Sequence, residues 1–420
     1  MVLMLPTTTD NGARLAAILP TGIAALARGL GRDPSAALQR AVGADRRTED
    51  GDPFTVPEAL PAITGCVLVV VDGLGSANLH ALKAHAPTLA GLTPRRIETV
   101  LPSTTGAALT TLATGRLPGE HGLIGYRIRH PQFGLRNTLK EWQGIEDLRS
   151  WQRATPLWGL ADEIGACAVA IGRPAHAVGG LTSAILSGAE YVGAQTIGER
   201  FAVASRLLRR GSAGDPLLAY LYVDELDRAA HADGWQGHDW LRRLEALDAA
   251  LADFLRTLPG GIGVVVTADH GMIDVPEHRR VLLDGHPAFA DGGPIIDVGG
   301  EPRFRSLYLA EGADRAAVVA ELNEHLGKIA WVGTRDEAIH GNWFGPVAPE
   351  VADRLGDVLV VARGQVALTL STDSDAARSM VGQHGGISAE ERGVPLALGG
   401  ALAGSGFAAA VTQVARRISM

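Results

Sequence analysis

The sequence predicts a doubly wound α/β fold built on a mainly parallel sheet. Four apolar runs rich in Val, Ile and Leu are nearly continuous, at 66–71, 167–171, 217–223 and 262–268. Strands that are buried on both faces of a parallel sheet have this pattern. Helical stretches separate the runs, and in the clearest one, 239–258, leucines recur at steps of three and four residues. Strands that alternate with helices indicate a doubly wound sheet, with functional groups at the carboxyl ends of its strands.

Length and composition agree with a large globular protein. The chain has 420 residues, of which 46% are hydrophobic and 20% charged, so a substantial core is expected. This length allows either one large α/β domain with an insertion or two domains. The net charge of −8 argues against a general nucleic-acid-binding surface. It leaves phosphorylated small molecules open as substrates, because bound metals would reset the local charge.

The first residues lack the basic segment and cleavage site of a signal peptide. The Ala/Leu-rich stretch that follows, 15–30, is interrupted by Pro20 and Arg28 and is too short to span a bilayer. We therefore expect a cytoplasmic protein without a membrane segment. Cys66 and Cys167 both lie in apolar runs and are predicted to be buried, reduced thiols, with a disulfide as the alternative.

Three regions are predicted along the chain. Residues 1–60 contain several prolines and are predicted to form a peripheral N-terminal wrap with short helices. Residues 61–274 and 381–420 are predicted to form the catalytic α/β core. Residues 275–380 are richer in Gly and Pro and are predicted to form an inserted lid subdomain.

Within the lid, one helix is predicted from Asp314 to Leu326. A hairpin is predicted from the apolar runs 357–362 and 365–370, which Arg363-Gly364 separates. The chain is then expected to return to the central sheet at 394–398.

Acidic and histidine motifs stand where strands end. Val-Val-Val-Asp72-Gly and Val-Val-Thr-Ala-Asp269-His270-Gly each end an apolar run with a carboxylate, and a glycine follows within two residues. Asp227-x-x-x-His231 lies between them, and Gln-His384-Gly-Gly comes near the end. Three aspartates and three histidines at element ends form a set suited to holding two divalent metal ions.

A threonine-rich segment, 101–115, is the second signal. Pro102 and Ser103 end an extended stretch, and a helix of small residues is predicted to begin near Thr104 or Thr105. Hydroxyls at a helix N-terminus sit where backbone N–H groups and the helix dipole favour negative charge. Coordination to a divalent metal would lower the pKa of such a hydroxyl far enough to make it a nucleophile. The alternative is that these threonines only cap a helix.

Together these motifs resemble the alkaline phosphatase superfamily, and within it the nucleotide pyrophosphatase/phosphodiesterase branch, or type I phosphodiesterases. The resemblance runs from about residue 64 to 400, and the lid matches least. Each motif alone is weakly specific, whereas their order and spacing together are highly specific. The motifs that carry it are Val-Val-Val-Asp72-Gly, Pro-Ser-Thr-Thr105-Gly with Thr-Gly115 and Glu-His-Gly122, Asp227-x-x-x-His231, Ala-Asp269-His270-Gly-Met and His384-Gly-Gly.

The resemblance implies the roles of the candidate residues. In that family the nucleophile lies ten residues before the glycine of a Thr-Gly pair, which selects Thr105, with Thr104 as the alternative. One metal would be held by Asp227, His231 and His384, and the other by Asp72, Asp269, His270 and the Thr105 oxygen. The cofactors implied are two zinc ions, with Mn²⁺ as the alternative. Two Zn²⁺ bring +4 and the three aspartates −3, which leaves +1 to attract a phosphoryl group.

One position departs from the family pattern. The family has an asparagine about 21 residues after the nucleophile, which hydrogen-bonds a non-bridging phosphate oxygen; that position is Tyr126 here. A phenol donates one hydrogen bond, so Tyr126 is a candidate substrate-binding residue, and the particular substrate is left open.

The predicted function is hydrolysis of phosphodiester or pyrophosphate bonds in small phosphorylated molecules, with nucleotides as one candidate class. A phosphonate hydrolase similar to phosphonoacetate hydrolases is the enzymatic alternative. A non-catalytic binding protein with the same fold is the alternative from another class.

Overall fold

The computed structural model describes residues 10–43, 56–209 and 215–419. The strands are, in chain order, β1 Gly65–Val71, β2 Arg95–Glu98, β3 Arg127–His130, β4 Gly134–Asn137, β5 Cys167–Gly172, β6 Glu190–Gly193, β7 Leu217–Val223, β8 Ile262–Thr267, β9 Ile273–Asp274, β10 Arg280–Leu282, β11 Ile295–Glu301, β12 Phe304–Leu309, β13 Ala330–Thr334, β14 Val358–Ala362, β15 Ala367–Thr369, β16 Gly382–Gln383 and β17 Gly393–Gly400.

The helices are, in chain order, α1 Ala13–Gly29, α2 Pro34–Val42, α3 Ser76–Ala81, α4 Pro87–Gly91, α5 Thr105–Thr114, α6 Pro118–His121, α7 Leu148–Trp151, α8 Leu160–Ile164, α9 Gly180–Ile185, α10 Ile197–Arg209, α11 Glu225–Asp233, α12 His238–Arg256, α13 Arg315–Leu326, α14 Arg335–His340, α15 Pro349–Ala352, α16 Asp375–Ser379, α17 Ala389–Arg392 and α18 Phe407–Ile418. Among the described residues, no helix has both the length and the apolar character needed to cross a membrane.

The central sheet has seven strands in the order β2-β17-β8-β1-β7-β5-β6. The strands from β8 to β6 are parallel, while β17 runs antiparallel to β8 and β2 antiparallel to β17. The four apolar runs of the sequence form four adjacent strands at the centre, and every residue of β1 and β8 is buried. The predicted doubly wound, mainly parallel α/β sheet is therefore confirmed. The return of the chain at 394–398 is the antiparallel strand β17.

Helix α1 differs from the expectation of short helices in the N-terminal wrap. It is 17 residues long, and most of its residues are buried. It packs against α18, α2 and α5. Its apolar residues occupy nearly every face of the helix, which is the pattern of a helix buried within a core. The division of the chain into an N-terminal wrap, a core and a lid otherwise stays a prediction.

A second, antiparallel sheet with the order β11-β12-β14-β13 lies within the segment predicted to be inserted. The predicted helix of this segment is α13, and its Val318 and Leu322 share a hydrophobic core with Val358 and Val360 of β14. The predicted hairpin at Arg363-Gly364 is wrong. Strand β14 is already paired on both sides, with β12 and β13, so β15 pairs with β10 in a separate two-stranded sheet.

The two cysteines also differ from each other. Cys66 is buried in β1, whereas Cys167 at the start of β5 is exposed, so the prediction of two buried thiols is wrong for Cys167. Both are free thiols. Cys167 begins an inner strand at its amino end, which is the edge of the sheet opposite to the acidic motifs.

Candidate metal centre

The acidic motifs meet at the carboxyl edge of the central sheet. Asp72 follows β1 directly, and Asp269 comes two residues after the neighbouring strand β8. On the other side of β1, strand β7 leads into α11, which carries Asp227 and His231 on successive turns. Parallel strands bring their carboxyl ends to one edge, so motifs far apart in sequence converge there.

Asp72, Asp269 and His270 form one compact group of potential ligands. Their ligand atoms lie within 4.8 Å of one another, and all three residues are buried. Nε2 of His270 lies 3.2 Å from Oδ1 of Asp72 and 3.6 Å from Oδ2 of Asp269. The hydroxyl oxygen of Thr105 is 3.1 Å from the same Nε2. The four residues predicted to share one metal are therefore together.

The second group adjoins the first. Nε2 of His231 lies 3.3 Å from Oδ1 of Asp227, and Nε2 of His384 lies 3.8 Å from the same oxygen. The ring of His384 stacks on that of His270, with centroids 3.7 Å apart. One ligand atom from each of Asp227, His270 and His384 also lies within 4.8 Å of the other two. All seven predicted ligands, including the Thr105 hydroxyl, therefore belong to one continuous cluster.

Each histidine of the cluster is oriented by a backbone carbonyl. The Nδ1 atoms of His231, His384 and His270 face the carbonyl oxygens of Gly382, Ser103 and Gly271, at 2.8, 3.0 and 3.2 Å. A carbonyl only accepts hydrogen bonds, so each Nδ1 carries a proton and donates it. This leaves Nε2 of all three rings to bind a metal ion, the arrangement usual for metal-binding histidines.

The carboxylates of the cluster lack hydrogen-bond donors at the atoms that face each other. Oδ1 of Asp72, Oδ1 of Asp227 and Oδ2 of Asp269 are buried without a hydrogen-bond partner. Burial raises the pKa of Asp227 to about 6 and raises that of Asp269 well above its usual value. Burial alone would lower the pKa of His270, but the surrounding carboxylate charges raise it to about 10. Three carboxylates crowded around one point, each with a buried oxygen that lacks a hydrogen-bond partner, fit a site for divalent cations.

Helix α5 presents Thr105 to this cluster. The helix runs from Thr105 to Thr114, and Gly115 follows it with a φ of 66°, the left-handed value common after helices. The hydroxyl of the preceding Thr104 instead donates a hydrogen bond to Oε2 of Glu301, at 3.3 Å. Ser103 forms a bridge to Gly385, next to His384. The structure therefore favours Thr105 over Thr104 as the residue beside the ligands.

Two glycines of the motifs lie so close to neighbouring residues that a side chain would not fit. Gly73 has a φ of +74°, and a Cβ atom there would lie 3.0 Å from the Cα of Asp227. Gly385 has a φ of +111°, and its Cβ would lie 2.5 Å from the carboxyl carbon of Glu301. Only glycine accepts both the backbone conformation and the contact at these positions.

A family comparison decides the relationship of the chain. The family model for type I phosphodiesterase / nucleotide pyrophosphatase matches residues 66–387. The chain belongs to this family. The matched stretch runs from β1 to just beyond His384, so it contains every motif of the cluster. The resemblance inferred from the sequence is thereby confirmed, and the family is one of hydrolases.

Individual relatives are distant. Ectonucleotide pyrophosphatase/phosphodiesterase family member 1 of Rattus norvegicus is 23% identical over 218 residues, which are 49% of this chain and 24% of the relative. The same protein of Mus musculus matches to the same extent. The matched stretch thus spans about a quarter of the length of these relatives.

Solved structures share the fold at low identity. Murine ectonucleotide pyrophosphatase/phosphodiesterase 5, as an inactive threonine-to-alanine variant in complex with AMP, has a TM-score of 0.61 and 17% identity, covering 80% of this chain and 88% of that chain. Phosphonoacetate hydrolase from Sinorhizobium meliloti 1021, in complex with phosphonoformate, has a TM-score of 0.63 and 20% identity, covering 87% of this chain and 98% of that chain.

Tyr126 stands about 21 residues after Thr105, where the resemblance implies an asparagine. It is half-buried, and burial raises the pKa of its hydroxyl, which hydrogen-bonds the side chain of Asn137. The β3–β4 hairpin pairs Arg127 with Asn137, so an asparagine reaches this place from the other strand. The contribution of Tyr126 to substrate binding stays a prediction.

Two residues at the cluster were missed by the sequence analysis. The hydroxyl of Tyr222 donates a hydrogen bond to Oδ2 of Asp72, and Glu301 lies 3.7 Å from Nδ1 of His384 through Oε2. Burial raises the pKa of Glu301 to about 8. Tyr222 stands in the apolar β7 run and Glu301 in the inserted segment, and no spacing in the sequence links either one to the metal motifs.

Proposed function

We propose that this family member hydrolyses phosphodiester or pyrophosphate bonds of small phosphorylated molecules, with nucleotides as a candidate class. The nucleophile would be Thr105, and two divalent cations would be bound by the clustered ligands. The observation that carries this proposal is the position of the Thr105 hydroxyl, 3.1 Å from Nε2 of His270 in a cluster whose three carboxylates each have a buried oxygen without a hydrogen-bond partner.

The ligand types suit zinc. One ion would be held by Asp72, Asp269, His270 and Thr105. The other would be held by Asp227, His231 and His384. Imidazole and carboxylate without thiolate is a donor set typical of catalytic zinc, and Mn²⁺ is the alternative. When bound, a pair of such ions lowers the pKa of a coordinated hydroxyl and offsets charge on the phosphoryl oxygens.

The chain's own groups then define the reaction. A bond forms between the Thr105 oxygen and phosphorus, while the bond from phosphorus to the leaving group breaks. Water later cleaves the phosphothreonine ester and restores the hydroxyl. Because Thr105 is the first residue of the ten-residue helix α5, the free N–H groups of the first turn favour the negative phosphoryl group.

The solved relatives support this proposal. The murine enzyme is inactive with alanine in place of a threonine, and it binds AMP in that form. A threonine nucleophile and a nucleotide-like ligand would both agree with that complex. The phosphonoacetate hydrolase complexes with phosphonoformate and phosphonoacetate support phosphonate cleavage as the second candidate.

Trapping the covalent ester tests the nucleophile. Zinc-loaded protein mixed with bis-p-nitrophenyl phosphate and quenched in acid should carry a p-nitrophenyl phosphoryl group on the peptide that contains Thr105, as seen by mass spectrometry. The Thr105→Ala variant should form no adduct, and its turnover should be at least about 1,000-fold lower. Thr104→Ala is the matched control and should keep both.

An adduct on Thr104, or unchanged turnover in Thr105→Ala, would contradict the assignment. Phosphonoacetate in the same assay separates the two candidate functions. Faster phosphate release from phosphonoacetate than diester cleavage would favour the phosphonate hydrolase.

A further inference from the structure

Cationic side chains gather beside the metal centre on the side of β7 and β5. Arg173 directly follows β5, and Asp224 directly follows the neighbouring strand β7. Arg228 lies on α11, one residue after the candidate ligand Asp227. These side chains therefore share the sheet edge that carries the metal ligands.

Asp224 holds this cluster together. Its Oδ2 accepts a hydrogen bond from Nη1 of Arg173 at 3.2 Å and lies 3.2 Å from Nε2 of His176. Nη1 of Arg228 is 3.8 Å from the same oxygen. The single carboxylate charge faces two guanidinium charges, so one positive charge is left over even when His176 is neutral. The nearby Glu225 does not cancel it, because it forms an ion pair with the buried Arg200.

The cationic groups are accessible to a ligand. The side chains of Arg228 and His176 are 59% and 42% exposed, whereas that of Asp224 is 7% exposed. The carboxylate is thus covered while Arg228 and His176 face solvent, and the side chain of Arg173 is 20% exposed. In a chain with a net charge of −8, this local positive excess would attract an anion.

The cluster lies within reach of a substrate bound at the metal centre. Strand β5 is the second strand from β1 in the sheet, and the backbones of neighbouring strands are about 4.8 Å apart. The backbone of Arg173, directly after β5, is therefore about 10 Å from that of Asp72, directly after β1. The ring of His176 is 6.1 Å from that of Tyr222, whose hydroxyl donates to Asp72. A second or third phosphate of a polyphosphate chain and a long arginine side chain together cover this distance.

We propose that Arg173, His176 and Arg228 form an anion subsite that binds a further phosphate group of the substrate, beyond the phosphoryl group attacked by Thr105. The proposal rests on the proposed function and narrows its substrate class to compounds with two or more linked phosphates. Guanidinium groups suit this role, because their planar N–H donors bind phosphate oxygens in pairs. Asp224 is a positioning residue that fixes the orientation of the three donors.

Two substrates that share one nucleotidyl group test the subsite. Thymidine 5′-triphosphate carries additional phosphates, whereas the p-nitrophenyl ester of thymidine 5′-phosphate does not. Arg228→Gln in the zinc-loaded full chain should lower kcat/KM for the triphosphate about tenfold, and Arg173→Gln/Arg228→Gln about 100-fold. For the p-nitrophenyl ester both variants should stay within about twofold of the original chain.

Arg256→Gln is the matched control. Arg256 is an exposed arginine paired with an aspartate, but it lies at the end of α12 that precedes the amino end of β8. It should leave both substrates unaffected. Equal losses with both substrates, or no loss with the triphosphate in the double variant, would overturn the subsite.

Failure of the proposed function gives a different result, namely that the original chain hydrolyses neither substrate. Binding then tests the subsite alone, by calorimetry with thymidine triphosphate on zinc-loaded Thr105→Ala. The added Arg173→Gln/Arg228→Gln changes should raise Kd at least tenfold, and an unchanged Kd would overturn the subsite.

Discussion

Tyr222→Phe should weaken metal binding without disturbing the fold. Its hydroxyl donates to Oδ2 of Asp72, while Oδ1 of the same carboxylate faces the cluster 3.2 Å from Nε2 of His270. The tyrosine therefore fixes the rotation of a candidate ligand from outside the ligand set. Phenylalanine keeps the ring in β7 and removes only the donor.

The size of the effect follows from the contact. A hydrogen bond from a neutral donor to a charged acceptor contributes about 1.5–3 kcal/mol, which corresponds to roughly 10- to 100-fold in an equilibrium constant. Residues that orient metal ligands typically change metal affinity by a similar factor. We therefore expect the dissociation constant for zinc at the Asp72 site to rise about 10- to 100-fold.

Competition with a fluorescent zinc chelator measures this constant. Tyr308→Phe is the control, because the Tyr308 hydroxyl also donates in a buried place, to the carbonyl of Arg354 in the inserted region. It should change thermal stability to a similar degree and leave zinc affinity unaffected. Zinc affinity within twofold of the original chain in Tyr222→Phe would refute the reasoning.

Removing bound metal ions with a chelator should lower the midpoint of thermal unfolding by several degrees, because bound ions stabilise the folded state. The Asp72→Asn variant, which has one ligand fewer, should show a smaller shift. Differential scanning calorimetry of the two proteins, with and without chelator, measures the shifts. His121 is buried, and burial lowers its pKa to about 3, so the folded state keeps it neutral. Its contribution to stability is present above about pH 6.5 and is lost between about 6.5 and 3, at up to about 1.4 kcal/mol per pH unit. His121→Asn, which keeps an acceptor for the Leu123 N–H, should flatten that pH dependence in urea unfolding; an unchanged slope would contradict it. Gly385→Ala should destabilise the protein and reduce activity more than Gly404→Ala does. Both glycines have positive φ, but only a Cβ atom at position 385 would meet another group, the Glu301 carboxyl. Equal effects of the two changes on activity and melting temperature would argue against a steric role for Gly385.

The central sheet and the metal motifs could be predicted from the sequence. Buried parallel strands are marked by continuous apolar runs, and their carboxyl ends must share one edge, so the convergence of Asp72, Asp269 and Asp227 follows from the order of elements. The start of helix α5 could also be predicted to within one residue, near Thr104 or Thr105, because the run of small residues between Pro102 and Gly115 leaves few other starting points.

Contacts between distant segments could not be predicted. Tyr222 lies in an apolar strand, and only the register with β1 brings its hydroxyl to Asp72. Glu301 reaches Thr104 because the inserted sheet folds back onto the core. The predicted hairpin at Arg363-Gly364 was wrong for the same reason. Strand β14 pairs with β12 on one edge and β13 on the other, and the local sequence does not specify these pairings.

Hydrolysis of bis-p-nitrophenyl phosphate, compared with p-nitrophenyl phosphate, tests the central claim most directly. The purified chain would be assayed with added Zn²⁺ and with chelator. A metal-binding phosphodiesterase should prefer the diester, lose activity with chelator and recover it with zinc. Diester cleavage that persists at full rate in chelator-treated, metal-free protein would contradict the account.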